Sequence, residues 1–527
     1  MSGYRYNLGL AFAAIADAHG VRKAMVWPEG QELTYAQLHE HAARIAVQLM
    51  DAGVKRGDVV AIINAKSPLS MCAIIGCVSL GVLYTNLDPA SPWERVSRIL
   101  DRCAPKLVLS DPGDDAVKSL SDAVRNGGYT VLSLASDASK DATEAKARLA
   151  RASAAVSGAD AAYIMFTSGS TGFPKGAVMT HANVLNFIAW GRTQYGITPD
   201  DVMTGVNPIY FDNSVFDLYV SIFNGATLVP FGTDHVRDPH ALVKHVERLG
   251  CTIWFSVPSM LVYLLTMRAI TATTWPRMRA IIFGGEGFPK VKLRELFNAF
   301  KERSALYNVY GPTECTCICS SYTVTQADTD DLSELAPLGH LAPNFNFHLN
   351  ALDATDPSLG ELWLGGAQVG AGYYNDPERT AAAFVQDPRA TGYRKPMYRT
   401  GDLVQLGADG LLRFKGRVDN QIKHMGYRIE LEEVEAAFSA LPAVHEVGVI
   451  YKTAEPGTPG SILAYVSTDE GITPEALATE VAGVLPAYMR PRSIFVQHTA
   501  LPKNSNGKID RQALKALAPP TRRDDHK

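Results

Sequence analysis

The chain has 527 residues, 46% of them apolar and 20% charged, with a formal net charge of -4. This length exceeds one simple core and predicts several structural units, and the near balance of charge argues against a nucleic-acid or anionic-membrane partner. The opening MSGYRYNLGLAFAAIADAHG lacks the basic flank and apolar core of a secretory signal, and seven scattered cysteines suit reduced thiols, so a cytoplasmic protein is the expectation.

From the N-terminus, helical and strand patterns alternate, as in LTYAQLHEHAARIAVQLMDAG followed by DVVAIIN. This predicts a large α/β part whose parallel-type sheets are covered by helices. The Ala-rich residues 141–162 read as an exposed helix and loop. The apolar run AAYIMF then reads as a buried strand leaving through FTSGSTGFPKG, residues 166–176. Gly169, Gly172 and Gly176 let backbone N–H groups converge, and Thr167, Ser168, Ser170 and Thr171 add hydroxyls, which together make a nest for phosphate oxygens. The loop is not a Walker A sequence, because Lys175 stands between Pro174 and Gly176. Taken alone, it is as readily a solvated connector. Farther on, Cys315, Cys317 and Cys319 in CTCICS alternate along what reads as a strand. A zinc site and buried free thiols are the two readings, and the one-residue spacing favours the thiols. Near FKGRVDNQIKHMGYRIELEEVEAAFSAL a charged, glycine-punctuated stretch leads into an amphipathic helix starting near Leu431, a plausible domain junction. Beyond it HEVGVIYK and SILAYVST read as strands and residues 474–484 as a helix, which predicts a small α+β domain. The expected division is residues 1–418 and 419–527.

The stretch YIMFTSGSTGFPKGAVMTH resembles the phosphate loop of adenylate-forming enzymes, the superfamily of acyl-CoA synthetases, luciferases and peptide-synthetase adenylation domains. The family's other motifs follow in order: NVYGPTE at 308–314, GELWLGG at 360–366, YRTGDL at 398–403, GRVDNQIKHMGYRIELEEVE at 416–435 and NSNGKIDR at 504–511. The resemblance implies attack of a carboxylate on the α-phosphorus of ATP, giving an acyl-adenylate and pyrophosphate. Two anions must meet, so cations and aimed N–H groups have to offset their repulsion in a site that excludes water. By resemblance, the glycine-rich loop with Lys175 would hold the β- and γ-phosphates, and Glu314 with Thr313 would place a magnesium ion. Asp402, supported by Arg417, would take the ribose hydroxyls. Tyr310, with Gly311 beside it, would face adenine, and Asn308 would offer its amide. Lys508 would touch both the substrate carboxylate and the α-phosphate. If Lys508 is needed in one step and absent from the next, the small domain must swing. Asp419 matches the hinge, and KHMGYRIE would face the site in the second state, lining a tunnel for a thiol that attacks the adenylate and releases AMP.

NPIYFDNSVFDLYVSIFNGA resembles the pocket segment of amino-acid-activating members, and its Asp212, after Phe211, matches the aspartate that pairs with the α-ammonium. Helix capping is the alternative role for this aspartate. The remaining pocket positions, aligned by motif, are Asn213, Phe216, Ser256, Ile282, Gly284, Val309, Cys317 and Ile318. They carry no further charge, which implies a small to medium apolar amino acid. No segment like a carrier domain follows Lys527, so the chain resembles freestanding ligases whose acceptor is the phosphopantetheine arm of a separate carrier protein. A piece cut from a larger synthetase would look identical. A D-alanine carrier-protein ligase, an acyl- or aryl-CoA ligase, and a nucleotide-binding regulator without turnover are the alternatives.

Overall fold

A computed structural model describes residues 5–134, 141–169, 173–353, 355–453, 460–504 and 509–517. Val59–Ile63 and Leu83–Leu87 are buried at every residue, and Ala161–Thr167 at all but its first. Such unbroken burial suits parallel strands covered on both faces. Among the described residues they form the middle of a seven-stranded sheet in the order Gly372–Tyr373, Lys175–Thr180, Ala161–Thr167, Leu83–Leu87, Val59–Ile63, Leu107–Ser110, Val131–Ser133. A nine-stranded sheet centred on Ala305–Tyr310, Ala280–Gly284, Ile253–Ser256 and Val202–Gly205 lies beside it, and one apolar cluster containing Tyr84, Tyr163, Phe216 and Phe255 joins the two.

The helix Pro68–Leu80 is buried from Ser70 through Leu80, as expected of a helix apolar on all sides. Ser67 caps its start, Pro68 presets its first turn, and Gly81 ends it in the left-handed conformation. Its Gly76 lies so close to the helix Tyr35–Asp51 that a Cβ there would stand 2.9 Å from the Ala42 carbonyl.

One of two local expectations is corrected. The helix Ala142–Ala154 in the Ala-rich stretch is exposed along most of its length, as expected, and docks through Ala145, Leu149 and Ser153, whose hydroxyl donates to the Ser79 carbonyl at 2.6 Å. CTCICS is not a strand. Thr313–Cys315 form a 3₁₀ turn, Thr316 and Cys317 have φ of 62° and 82°, and the next strand starts at Ser320. The chain doubles back tightly, with Cys319 N–H donating to the Tyr310 carbonyl at 2.8 Å. All three thiols are buried, which raises their pKa values.

From Gln421 onward the chain forms a hairpin of Gln421–His424 and Tyr427–Glu430, the helices Leu431–Ser439 and Pro474–Ala482, and a sheet of Val444–Lys452, Ser461–Thr468 and Ser493–Gln497. Alternate residues of Ser461–Thr468 serve opposite faces. Ile462, Ala464 and Val466 pack with the hairpin residues Ile422, Tyr427 and Ile429, whereas Leu463 and Tyr465 pack with Leu501, Ile509 and Leu514. No helix among the described residues is long and apolar enough to cross a membrane.

Candidate active site

Ala161–Thr167 returns as Lys175–Thr180 with Thr167 opposite Lys175, so the glycine-rich loop is a hairpin connection that fixes Lys175 at its mouth. Ser170, Thr171 and Gly172 lie outside the described residues. The Ser168 hydroxyl donates to the Arg428 carbonyl at 2.6 Å and accepts Glu430 N–H at 3.2 Å, and Gly169 N–H donates to Glu433 Oε2 at 3.1 Å. Glu433 also forms a buried ion pair with Arg95. Thr167 Oγ1 is buried without a partner among the described residues.

Glu314 is fully buried. Its Oε1 accepts the Tyr373 hydroxyl and its Oε2 accepts Arg428 Nη1, each at 2.7 Å. Lys175 Nζ stands 3.7 Å from Glu314 Oε1 and 3.6 Å from Glu430 Oε1. Burial alone would raise the Glu314 carboxyl, but Arg428 and Lys175 hold it well below the usual carboxylate range. Burial, with Arg428 nearby, lowers the Lys175 ammonium against the pull of the two glutamates. Thr313 does not turn toward Glu314, as expected for a shared magnesium; its hydroxyl donates to Asp212 Oδ2 at 2.5 Å. With both Glu314 oxygens engaged and a guanidinium against one of them, these residues do not fit magnesium in this arrangement.

A cavity of about 380 Å³ is bordered by Asn308, Val309, Tyr310, Gly311, Asp402 and Arg417. The Tyr310 hydroxyl donates to Asp402 Oδ2 at 2.6 Å, while Arg417 pairs with Asp402 Oδ1 and with Asp419. Asn308 Nδ2 donates to the Pro337 carbonyl at 2.8 Å, which leaves the amide oxygen as its acceptor.

A narrower space of about 40 Å³ is bordered by Phe211, Asp212, Asn213, Thr313, Lys423 and Arg428. Asp212 precedes the short helix Asn213–Val215, yet its side chain makes no capping bond, so the capping role falls away. Burial raises the Asp212 carboxyl, against the Thr313 hydrogen bond and the charge of Lys423. Phe211 meets the hairpin's Tyr427 edge-on at 5.1 Å, and Tyr427 stacks on Tyr488 at 3.9 Å.

The expected pocket lining falls only partly on these two spaces. Asn213 borders the narrow space and Val309 the larger cavity, but Phe216, Ser256, Ile282, Gly284, Cys317 and Ile318 are buried and border neither. Phe216 packs edge-on against Phe187, Tyr195 and Phe255, and Ser256 Oγ accepts the Trp254 indole N–H at 2.8 Å. A Cβ on Gly284 would lie 2.2 Å from the Val309 carbonyl, so this glycine admits neighbouring backbone instead of opening space.

Several site residues were not singled out from sequence. Lys423 borders both cavities and makes no hydrogen bond or ion pair among the described residues; burial and Arg428 lower its pKa. Arg428 and Glu430 lie in the same expected motif. Arg95 had a legible signal: it shares the buried stripe of Trp93–Cys103 with Ile99 and Cys103, where a cation needs a partner. Lys508 lies outside the described residues. Its described neighbours are held on the sheet face opposite the hairpin, where Lys503 bridges Ile509, binds Glu446 at 2.6 Å, and Ile509 joins the Leu501 and Leu514 cluster.

The sequence matches the AMP-binding enzyme family over residues 12–374 and the AMP-binding enzyme C-terminal domain over residues 433–508. It is 34% identical over 92% of its length to tyrocidine synthase 3 of Brevibacillus parabrevis, of which it spans only 7%. It is 31% identical to an L-proline--[L-prolyl-carrier protein] ligase of Streptomyces coelicolor, covering 95% of both chains. The crystal structure of IdnL1 superposes with a TM-score of 0.80 at 26% identity, covering 95% of this chain and 100% of that one. Motifs, fold and relatives agree that the chain belongs to the AMP-binding enzyme family, the adenylate-forming ligases.

Proposed function

We propose that the protein activates a small amino acid with ATP as aminoacyl-AMP, releasing pyrophosphate, and transfers it to the phosphopantetheine thiol of a carrier protein acting in trans. Asp212 carries this reading. It is a desolvated carboxylate with no capping duty, beside the cavity bordered by Tyr310 and Asp402. A substrate α-ammonium would supply its missing counter-charge, and an acid without an amine would leave it unpaired. The narrow adjoining space and the filled positions behind it favour a small side chain. The carrier-protein ligase among the relatives supports the acceptor.

In the first step the substrate carboxylate attacks the α-phosphorus and pyrophosphate leaves. Lys175 and the loop N–H groups neutralise the outer phosphates, Tyr310 and Asn308 hold adenine, Asp402 with Arg417 holds the ribose, and Lys508 offsets charge gathering between the joining anions. In the arrangement described here, the loop's Gly169 N–H serves Glu433 and its Ser168 hydroxyl serves the hairpin. A triphosphate cannot use those donors at the same time, which supports reading this arrangement as that of the second step, when the thiol attacks the adenylate carbonyl and AMP departs. Since the hairpin and Ile509 serve opposite faces of one sheet, residues 419–527 would turn as a body against residues 1–418 about Asp419. Departure of Arg428 in that turn would free Glu314 for the magnesium that accompanies ATP.

Labelled pyrophosphate exchange into ATP across a panel of amino acids and simple carboxylic acids tests the proposal. Exchange confined to small amino acids and lost in Asp212→Ala is the expected result. Exchange with acids lacking an amine, unaffected by Asp212→Ala, would replace it with an acyl- or aryl-CoA ligase.

A further inference from the structure

We infer that Glu286 is a positioning residue for the second half-reaction, a latch whose carboxylate holds the tip of the small-domain hairpin against the large domain. This rests on the two-step reading above. Glu286 follows the strand Ala280–Gly284 after one intervening glycine, Gly285, with φ of 95°. Its Oε1 accepts Ser259 N–H at 2.9 Å, and its Oε2 accepts Gly426 N–H at 2.9 Å. Ser259 lies in the first turn of the helix Pro258–Thr266, whose N-cap residue, Val257, has no side-chain acceptor to offer. Gly426 lies in the hairpin turn. One carboxylate thus satisfies two backbone donors, one from each side of the domain junction.

The geometry of the turn makes this seat specific. Met425 and Gly426 have φ of 51° and 81°, the left-handed pair that a two-residue hairpin turn requires. A Cβ at position 426 would meet Val257 Cγ1 at 2.5 Å, so the turn rests directly on the residue that begins the Ser259 helix. Val257 limits how deeply the tip enters, and Glu286 Oε2 captures the one N–H presented there.

Glu286 differs from the hairpin's other large-domain partners. Glu314, Lys175 and Ser168 all have work in the first step, so substituting them disturbs both steps. Glu286 also borders the cavity of about 380 Å³, but its carboxylate bonds only backbone N–H groups, one of them on the hairpin. When the hairpin withdraws, Oε1 keeps Ser259 and Oε2 loses its protein partner, so the bond to Gly426 favours one arrangement alone. By stabilising the hairpin in the site, it sets the fraction of adenylate-loaded enzyme that is ready for thiol attack.

Glu286→Gln keeps the size of the side chain and one acceptor oxygen, enough for Ser259 or Gly426 but not both. The test compares the full-length wild type with Glu286→Gln and Glu286→Ala in two assays: amino-acid-dependent pyrophosphate exchange, and single-turnover transfer from preformed enzyme-bound adenylate to pantetheine. The expected result is exchange at saturating ATP within about twofold of wild type and transfer slowed about tenfold in Glu286→Gln, the loss of one charge-assisted hydrogen bond. Equal losses in both assays would make Glu286 a merely structural residue and overturn the latch, as would unchanged transfer in both variants. A wild type without any exchange would instead overturn the two-step reading on which the latch depends.

Discussion

Asp212 and Lys423 border one space of about 40 Å³, an acid and a base that each lack a full ion-pair partner there. Replacing Asp212 by Asn keeps the shape and the Thr313 contact while removing the charge. We expect the KM for the amino acid to rise about 10- to 100-fold, from one lost charge-assisted contact, with the KM for ATP unchanged in steady-state exchange kinetics. A matching rise in both constants would point to a disturbed fold instead. At this scale the sequence was informative about residue type and motif: Asp212, Glu314, Tyr310 and Asp402 all border or approach one site. It did not reveal partners. Asp212 and Glu314 are both near Thr313, and only the turn through Thr313–Cys315 decides that the hydroxyl serves Asp212. Nor did the sequence reveal that the space beside Gly284, one of the aligned pocket positions, is taken by the Val309 carbonyl.

The helices and strands were more legible than the turns. Long apolar runs such as Val59–Ile63 and Pro68–Leu80 allow few structures, because nothing in them can face water. The five-residue alternation of CTCIC was too short to separate a strand from a tight reversal, and Gly311-Pro312 just before it was the better guide. The contact of Gly76 with the Ala42 carbonyl yields a stability prediction. Gly76→Ala gains helix propensity but forces two closely packed helices apart, and we expect a net loss of about 1–3 kcal/mol by urea denaturation. A variant as stable as wild type or better would show that the helices separate freely. On the Leu431–Ser439 helix, Glu433 and its ion pair with Arg95 were invisible to pattern reading, since the two residues are 338 apart in sequence.

For the whole molecule, folding ties the N-terminal helix to a distant helix through His181. Leu8 N–H donates to His181 Nδ1 at 3.1 Å, and burial lowers the imidazole pKa from its ordinary 6.5 to about 4. The unfolded chain therefore takes up this proton more readily than the folded one. Stability from this group is fully present above pH 6.5 and is lost as the pH falls to about 4, amounting to about 3 kcal/mol. Urea midpoints at pH 7.5 and 5 should fall less steeply in His181→Asn than in wild type, and equal slopes would contradict the assignment. The motif order made both lobes and a hinge near Asp419 expected from sequence. Which lobe arrangement the chain adopts was not, because it depends on contacts such as Arg428 with Glu314 and Glu286 with Gly426 that cross the junction. The central claim is that the lobes alternate, bringing Lys508 to the nucleotide for the first step and the hairpin for the second. Pyrophosphate exchange with the preferred amino acid in Lys508→Ala tests it most directly. The account predicts a fall of about 10²–10³-fold, the usual effect of removing one donor to developing charge, while transfer from supplied aminoacyl-adenylate to pantetheine persists. Exchange at the wild-type rate would contradict it.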